Sequence, residues 1–293
     1  MCRYPAPVTL PLFKPGDDPG PAFPELLRRL GMAQRFDVTE PTDRLEVAHG
    51  TTVVAVKVEG GVIMAGDRRA TSGNLISHRT MEKVFPADRW SGVAIAGAAG
   101  PAVEMVKLFQ LQLEHYEKVE GQPLSLDGKA NQLSAMVRNH LPAAMQGLVV
   151  VPIFAGYDRL RQRGRLFAYD VTGGRYEEGD FTASGSGSLH ARTVIKLGYR
   201  PSQNADEGID LVLRALFQAA EDDSATGGPD SLRGIYPVVA RIDADGYERI
   251  ADDDLAARFT RIINDYQATI GGAEGAPGGP GVAGTRSVEG SAP

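Results

Sequence analysis

The segment TTVVAVKVEGGVIMAGD, residues 51–67, constrains the fold more than any other part of the chain. Two β-branched, apolar runs flank Glu59-Gly60-Gly61, and this arrangement predicts a β-hairpin. Further strand-like runs stand at 92–96, 148–157, 165–170 and 235–242. The longest of them is apolar almost throughout, as in a strand buried on both faces.

Helical periodicity separates these groups of strands. Apolar residues recur every three or four positions, and so lie on one helix face, in the segments 102–116, 126–141, 209–220 and 255–263. The order is strands, two helices, strands, two helices, strand, helix. Because the strands come in groups and do not alternate singly with helices, the pattern predicts an α+β fold with helices outside antiparallel sheets.

Composition divides the chain into three parts. Residues 1–50 are rich in proline and charge, and residues 51–270 carry the regular periodicity. Residues 271–293 are rich in glycine and have almost nothing to bury, so we expect a disordered tail.

Several classes of function find no support in the composition. A net charge of -6 disfavours binding to nucleic acid or to an anionic membrane, and no apolar run approaches the ~20 residues that cross a bilayer. Cys2 is the only cysteine and the N-terminus is not a signal peptide, so a reducing cytoplasm fits best. The five histidines do not cluster, and no phosphate-binding loop is present, so we expect no metal and no cofactor.

Two threonines, Thr51 and Thr52, follow His49-Gly50 where the periodic region begins. The simplest interpretation is that β-branched residues start a strand. The alternative is cleavage between Gly50 and Thr51, which creates a residue with both a hydroxyl nucleophile and a free α-amine. Such an amine has a pKa of roughly 7.7–8.0, so it can accept the hydroxyl proton near neutral pH.

Further candidate residues stand at the ends of predicted elements: Asp67, Lys83, Gly97, Ser186, Asp223 and Thr226. Taken singly, each is typical of a solvated charge or a loop. Taken together, the motifs GTTVVAV, GGVIMAGDRRATSGN, EKVF, IAGAAG, GSGS and DxxTGG resemble, in order and spacing, the proteasome β-subunit family of actinobacterial type. The resemblance runs from residue 50 to about 243. It implies a four-layer αββα sandwich, the fold of N-terminal-nucleophile hydrolases.

The resemblance also implies a threonine endopeptidase with a defined set of catalytic roles. Thr51 would attack the scissile carbonyl with its own amine as proton acceptor. Lys83 would stabilise the alkoxide and keep that amine neutral, and Asp67 would hold Lys83 in place. The N–H of Gly97 would donate to the oxyanion.

Three more residues would form a hydrogen-bonded network that orients the amine: Ser186, Asp223 and Thr226. Much of the family has serine at the last of these positions, so the threonine here is a departure. Residues 1–50 would be a propeptide that Thr51 removes by attacking the Gly50 carbonyl.

Family positions that line the pocket for the side chain before the scissile bond correspond here to Ala70, Met81, Phe85, Ile95, Ala99 and Val103. Because the set is uncharged, we expect a preference for apolar side chains, although each residue alone could equally be ordinary core. Thr71 and the backbone of residues 97–99 would bind the peptide as an added strand.

The resemblance further implies partners. Family members form stacked seven-membered β-rings between α-subunit rings, and a ring-shaped ATPase feeds them tagged, unfolded proteins. Three alternatives stay open: a small-molecule amidase with the same kind of nucleophile, the peptidase of a simpler two-component bacterial protease, and a non-catalytic ring subunit. The long leader disfavours the second, and the joint presence of Gly50, Thr51 and Lys83 disfavours the third.

Overall fold

The computed structural model describes residues 51–273. The strands in this part of the chain are β1 Thr52–Val58, β2 Gly61–Gly66, β3 Ala70–Ser72, β4 Leu75–His78, β5 Val84–Asp88, β6 Ser91–Gly97, β7 Val150–Asp158, β8 Arg163–Tyr169, β9 Arg175–Glu178, β10 Phe181–Gly185, β11 Val238–Ile242 and β12 Tyr247–Arg249. The helices are α1 Ala99–Glu120, α2 Leu126–Asn139, α3 Leu141–Met145, α4 Ser188–Gly198, α5 Ala205–Asp222 and α6 Asp252–Ala273.

The first sheet has the strand order β10-β1-β2-β11-β12, and its neighbouring strands are antiparallel. The predicted hairpin is present at its centre, with Val58 opposite Gly61. Gly60 has a φ of +77° in the turn, a conformation that favours glycine. β1 is nearly completely buried, because strands border it on both sides and helices cover one face.

The second sheet has the order β5-β6-β7-β8-β9 and is also antiparallel. The predicted doubly buried strand is β7, which lies in its middle. β3 and β4 form a separate two-stranded sheet.

Three hydrophobic clusters show how these elements pack. One joins the outer face of the first sheet to α4, α5 and α6. Another joins the second sheet to α1 and α2. The third contains Val53 and Met64 of the first sheet with Ala94 and Ile153 of the second, so the two sheets pack face to face. The predicted α+β fold with antiparallel sheets is confirmed, and the clusters follow the expected helix, sheet, sheet, helix order.

Hydrogen bonds cap both ends of α5. α5 begins with a capping box, in which Asn204 accepts from the Glu207 N–H and Glu207 accepts from the Asn204 N–H. α5 ends at Asp222, and Asp223 leaves the helix with extended backbone angles. Asp223 is itself the C-cap residue, and its N–H donates to the Ala219 carbonyl.

Some predictions fall at the edge of the described residues or beyond it. α6 includes the first three residues of the predicted tail, up to Ala273, and the rest of that tail lies outside the described residues. The predicted propeptide, residues 1–50, also lies outside them. Between residues 51 and 273, no helix is long and apolar enough to cross a membrane. The same residues contain no group of three or more His, Cys, Asp or Glu side chains placed to hold a metal ion.

Candidate active site

The start of β1 lies beside the ends of two neighbouring strands. Thr52 is opposite Gly185 of β10, and Val53 is opposite Gly66 of β2. Thr51 is buried there, with 5% of its surface exposed. Its carbonyl oxygen accepts a hydrogen bond from the Ser186 N–H at 2.9 Å. Antiparallel pairing thus brings the predicted residues of three segments to one end of the sheet.

Asp67 follows directly after β2 and is completely buried. Its Oδ1 accepts from the Thr52 N–H at 2.8 Å and from Lys83 Nζ at 2.6 Å. Its Oδ2 accepts from the N–H groups of Arg69 at 2.9 Å and Gly227 at 2.8 Å. Four donors around one carboxylate offset the cost of burying its charge.

Lys83 precedes β5 and is also completely buried. Besides the ion pair with Asp67, its Nζ donates to the Arg69 carbonyl at 2.5 Å. Burial lowers the pKa of Lys83, and the neighbouring carboxylate of Asp67 opposes that shift. A lysine held between these effects is a feature of functional sites, where ionisable groups are tuned for proton transfer.

Asp223 is the centre of a second cluster. Its Oδ2 accepts from the hydroxyls of Ser186 and Thr226, each at 2.6 Å, and its Oδ1 accepts from the Ala225 N–H at 3.2 Å. Burial raises the pKa of Asp223, but the hydrogen bonds from Ser186 and Thr226 outweigh it, so the pKa is lowered overall. The three residues predicted to form a network are therefore in direct contact.

Thr52 joins the two clusters, and sequence reasoning missed it. Its Oγ1 lies 2.6 Å from Thr226 Oγ1 and accepts from the Gly187 N–H at 3.0 Å. Its own N–H is the donor to Asp67. A buried polar side chain at the start of a strand is a signal that could have singled it out, because such a hydroxyl needs a partner.

Gly187 was also missed, since Gly-Ser-Gly usually indicates only a loop. A Cβ on Gly187 would lie 2.5 Å from Thr52 Oγ1 and 2.6 Å from Thr226 Oγ1. Real carbon–oxygen contacts are not this short, so the hydroxyl pair requires glycine at this position. The loop glycine is thus part of the site's packing.

Gly97 is the last residue of β6, with a φ of +113°. A Cβ there would lie 2.1 Å from the Val149 carbonyl oxygen, so both the backbone angle and the space require glycine. Its neighbour Ala96 packs in the same inner cluster as Val53, two residues after Thr51. The strand that ends at Gly97 therefore packs against the first sheet in the cluster that contains Val53.

Residues 47–232 match the protein family described as "Proteasome subunit". The chain belongs to the proteasome subunit family. Three similar proteins are each named "Proteasome subunit beta". The one from Acidimicrobium ferrooxidans is 59% identical over 89% of this chain and 97% of its own length. Those from Streptomyces griseus subsp. griseus and Jonesia denitrificans are also 59% identical, over 75% and 71% of this chain and 78% and 69% of their own lengths. The prediction of a proteasome β-subunit of the threonine-peptidase type is confirmed at the level of the family.

The predicted substrate residues of this proteasome subunit are spread over several environments. Phe85, Ile95 and Val103 share one hydrophobic cluster, in which Ile95 is almost fully buried and the other two are partly buried. Ile95 donates its N–H to the Lys83 carbonyl at 2.9 Å, so this cluster begins next to Lys83.

The remaining predicted substrate residues lie on other elements. Ala70 and Thr71 are buried on β3, while Met81 and Ala99 are half-buried. Met81 donates its N–H to the Arg68 carbonyl at 3.0 Å, which places it beside the segment that follows Asp67. These positions border the site, and their role in specificity stays a prediction.

A surface pocket next to Gly227 has a different character. Three arginines line it, Arg68, Arg69 and Arg79. None of the predicted substrate residues belongs to its lining among the described residues. This pocket is therefore separate from the apolar pocket expected for the family.

Proposed function

We propose that this chain is the catalytic β-subunit of a proteasome and that Thr51 is the nucleophile of its threonine endopeptidase. The observation that carries the proposal is the placement of Thr51 between two anchored groups. Ser186 holds the carbonyl of Thr51, and the next N–H along the chain shares Asp67 Oδ1 with the ammonium group of Lys83. A threonine placed in this way has the Lys83 cation on one side and the hydrogen-bonded network of Ser186 on the other.

The reaction proceeds in two steps. Thr51 Oγ1 attacks the scissile carbonyl carbon while its proton passes to the Thr51 α-amine, directly or through a water molecule. The tetrahedral intermediate collapses as the C–N bond breaks, and the leaving amine takes up the proton. The acyl group then forms an ester with Thr51, which a water molecule hydrolyses to release the second product.

Lys83 acts on this reaction through its charge. An ammonium group near the hydroxyl lowers the free energy of the alkoxide and disfavours protonation of the nearby α-amine. Asp67 fixes the position of Lys83, and four donors in turn hold the carboxylate of Asp67 in place. The pair therefore supplies a fixed positive charge in a buried site, where electrostatic effects are strong.

Two other groups complete the machinery. The N–H of Gly97 donates to the oxyanion, a form of stabilisation that typically contributes about 10²–10³ in rate for one donor. The cluster of Ser186, Asp223 and Thr226 orients the α-amine and holds the backbone at the start of β1.

Activation follows from the same nucleophile. Before cleavage, Thr51 is joined to Gly50 and has no free amine. Its hydroxyl attacks the Gly50 carbonyl, the acyl group moves from nitrogen to oxygen, and water hydrolyses the resulting ester. The acyl shift breaks the bond between Gly50 and the Thr51 nitrogen and so frees the α-amine of Thr51, and hydrolysis of the ester then releases residues 1–50.

The substrates are unfolded polypeptides bound in extended form. Thr71 on β3 and the backbone of residues 97–99 pair with the substrate main chain, which gives affinity without sequence selectivity. The half-buried apolar side chains of Phe85, Ala99 and Val103, together with Met81, favour an apolar residue before the scissile bond.

The subunit acts inside an assembly. Its partners are proteasome α-subunits and further β-subunits in stacked rings, an ATPase unfoldase on the α-ring, and tagged protein substrates in the cytoplasm. The Acidimicrobium relative, which is matched over nearly its whole length, supports membership in such an assembly through its name.

Peptide hydrolysis by the assembled particle tests the proposal. The full chain is co-expressed with its α-subunit, and fluorogenic peptides and small amides are offered to wild type, Thr51→Ala and Thr182→Ala. Thr182 is a buried threonine on the neighbouring strand β10 and serves as the matched control. We expect Thr51→Ala alone to abolish peptide cleavage. Turnover of small amides only would favour the amidase, and peptide cleavage by Thr51→Ala would refute the proposal.

A further inference from the structure

The side chain of Thr52 lies next to the proposed nucleophile and contacts both polar clusters of the site. Thr52 is completely buried, yet it carries a hydroxyl. Its N–H binds Asp67, and its Oγ1 contacts Thr226 and Gly187. A buried hydroxyl needs hydrogen-bond partners, and the contacts of Thr52 reach Asp67 on one side and the neighbour of Asp223, Thr226, on the other.

The direction of the hydrogen bonds along this chain is fixed by chemistry. The Gly187 N–H can only donate, so Thr52 Oγ1 accepts from it. The Asp223 carboxylate, whose pKa is lowered, accepts from the Thr226 hydroxyl. The proton shared by the two threonines must then come from Thr52. The order is Gly187 N–H to Thr52, Thr52 O–H to Thr226, and Thr226 O–H to Asp223.

The same contacts close a ring around the start of β1. Thr226 binds Thr52 through its hydroxyl, and its neighbour Gly227 binds Asp67 Oδ2 through its N–H. Asp67 Oδ1 accepts a hydrogen bond from the N–H of Thr52, which completes the ring. These links join residues up to 174 positions apart in the sequence. The ring fixes the backbone of Thr52, and with it the peptide unit that connects Thr52 to Thr51.

We infer that Thr52 is a positioning residue, whose hydroxyl couples the Asp67–Lys83 pair to the Asp223 cluster and so orients Thr51 for attack. The inference rests on the proposed function, because it assigns a role within the same site. Its effect is geometric: a nucleophile displaced by a fraction of an ångström loses rate while the substrate still binds. Loss of the Thr52 hydroxyl should therefore lower kcat and leave KM nearly unchanged.

Three substitutions test the inference in the assembled full-length chain. Thr52→Val keeps the shape and removes the hydroxyl, while Thr52→Ser keeps the hydroxyl and removes a methyl group. Thr182→Val makes the first change at a buried position outside the network. We expect Thr52→Val to lower kcat about tenfold with KM within about twofold of wild type. Thr52→Ser should restore most of kcat, and Thr182→Val should match wild type.

A double-mutant cycle with Thr226→Val separates coupling from simple loss of packing. If Thr52 acts through Thr226, the double variant should lose clearly less kcat than the product of the two single losses, because both changes break the hydrogen bond between the two threonines. Independent roles would multiply the two losses. Multiplied losses, wild-type kcat in Thr52→Val, or a Thr52→Ser variant no better than Thr52→Val would each overturn the inference.

Assembly and thermal stability are measured on the same samples. If Thr52→Val failed to assemble while Thr52→Ser behaved normally, the hydroxyl would serve folding and the positioning role would be wrong. Thr51→Ala distinguishes failure of the proposed function from failure of the role of Thr52. Activity in Thr51→Ala would refute the proposed function itself, whereas an inactive Thr51→Ala beside a fully active Thr52→Val would refute only the role of Thr52.

Discussion

Lys83 Nζ lies 2.6 Å from Asp67 Oδ1, and neither side chain is exposed to solvent. A buried ion pair of this kind contributes little to stability compared with apolar residues of the same size. Its presence directly beside the first residues of β1 is therefore better explained by chemistry than by folding. The Asp67 oxygen that binds Lys83 also accepts the N–H of Thr52, which ties the charge to the chain next to Thr51.

Replacing Lys83 by methionine tests this interpretation. Lys83→Met removes the ammonium and leaves Asp67 without its cation, so we expect activity to fall by about 10²–10⁴. We expect Lys83→Arg to fail as well, since a planar guanidinium does not fit the position of a compact ammonium.

The pair of Lys129 and Asp88 provides a matched control for the lysine experiment. It is also largely buried but belongs to α2 and β5, away from the site. Breaking either pair should cost about 3–5 kcal/mol of stability. The folded fraction of Lys129→Met should nevertheless have the same specific peptidase activity as wild type. Equal loss of specific activity in both variants would show that Lys83 has only a structural role.

Asp223 should make stability depend on pH. Because its pKa in the folded chain is below the ordinary value of 3.8, the ionised form stabilises the fold. This contribution is fully present above about pH 3.8 and is lost as the pH falls through the lower, folded-state pKa. The difference in Tm between wild type and Asp223→Asn should therefore be constant near neutral pH and shrink in acid.

A neighbouring carboxylate serves as the control for that pH series. Asp222→Asn changes an exposed residue at the end of α5 and should follow the wild-type curve. In the same preparations we expect Asp223→Asn to lower kcat about tenfold, through loss of the bonds from Ser186 and Thr226. A Tm difference between wild type and Asp223→Asn that stayed constant down to pH 2 would contradict the assignment.

Gly187→Ala should damage the site by steric contact. The backbone angle of Gly187, φ −85°, suits alanine, so the cost arises from the new methyl group against the two threonine hydroxyls. Overpacking of this kind costs about 1–3 kcal/mol, and we expect kcat to fall about tenfold. Gly179→Ala, where a Cβ meets nothing within 4 Å, is the control. Wild-type kcat in Gly187→Ala would show that the hydroxyl pair can move without consequence.

Specificity can be redirected at Ala99. This half-buried residue begins α1, where an aspartate also suits the helix dipole. Wild type should cleave after apolar residues about 10–200 times faster than after charged ones. Ala99→Asp should raise the relative rate after arginine, measured with a panel of peptides that differ only at that residue. If the peptides kept the same order of cleavage rates in the variant, Ala99 would not line the pocket.

Much of this site could be predicted from the sequence because its residues end regular elements. Asp67 follows a strand, Ser186 precedes a helix, and Asp223 follows one, and these boundaries carry clear patterns. Thr52 and Gly187 could not be predicted in the same way. Their roles arise from contacts across as many as 174 residues, which no local pattern encodes.

The fold shows the same division between local and non-local features. Long buried elements such as β7 and α5 were predicted, because their periodicity reflects packing on a core. No pattern in the sequence indicates β4, because its residues Leu75–His78 are all exposed and show no alternation of apolar and polar side chains. Short strands of this kind depend on pairing with a neighbour, here β3, and propensity alone does not reveal them.

The most direct test of the central claim is the mass and N-terminal sequence of the chain after co-expression with its α-subunit. Wild type should begin at Thr51, and Thr51→Ala should keep residues 1–50 or be trimmed at another bond. That result would establish the nucleophile and its self-activation together. If wild type still began at Met1, or if both chains were cut between residues 50 and 51, self-cleavage by Thr51 would be contradicted.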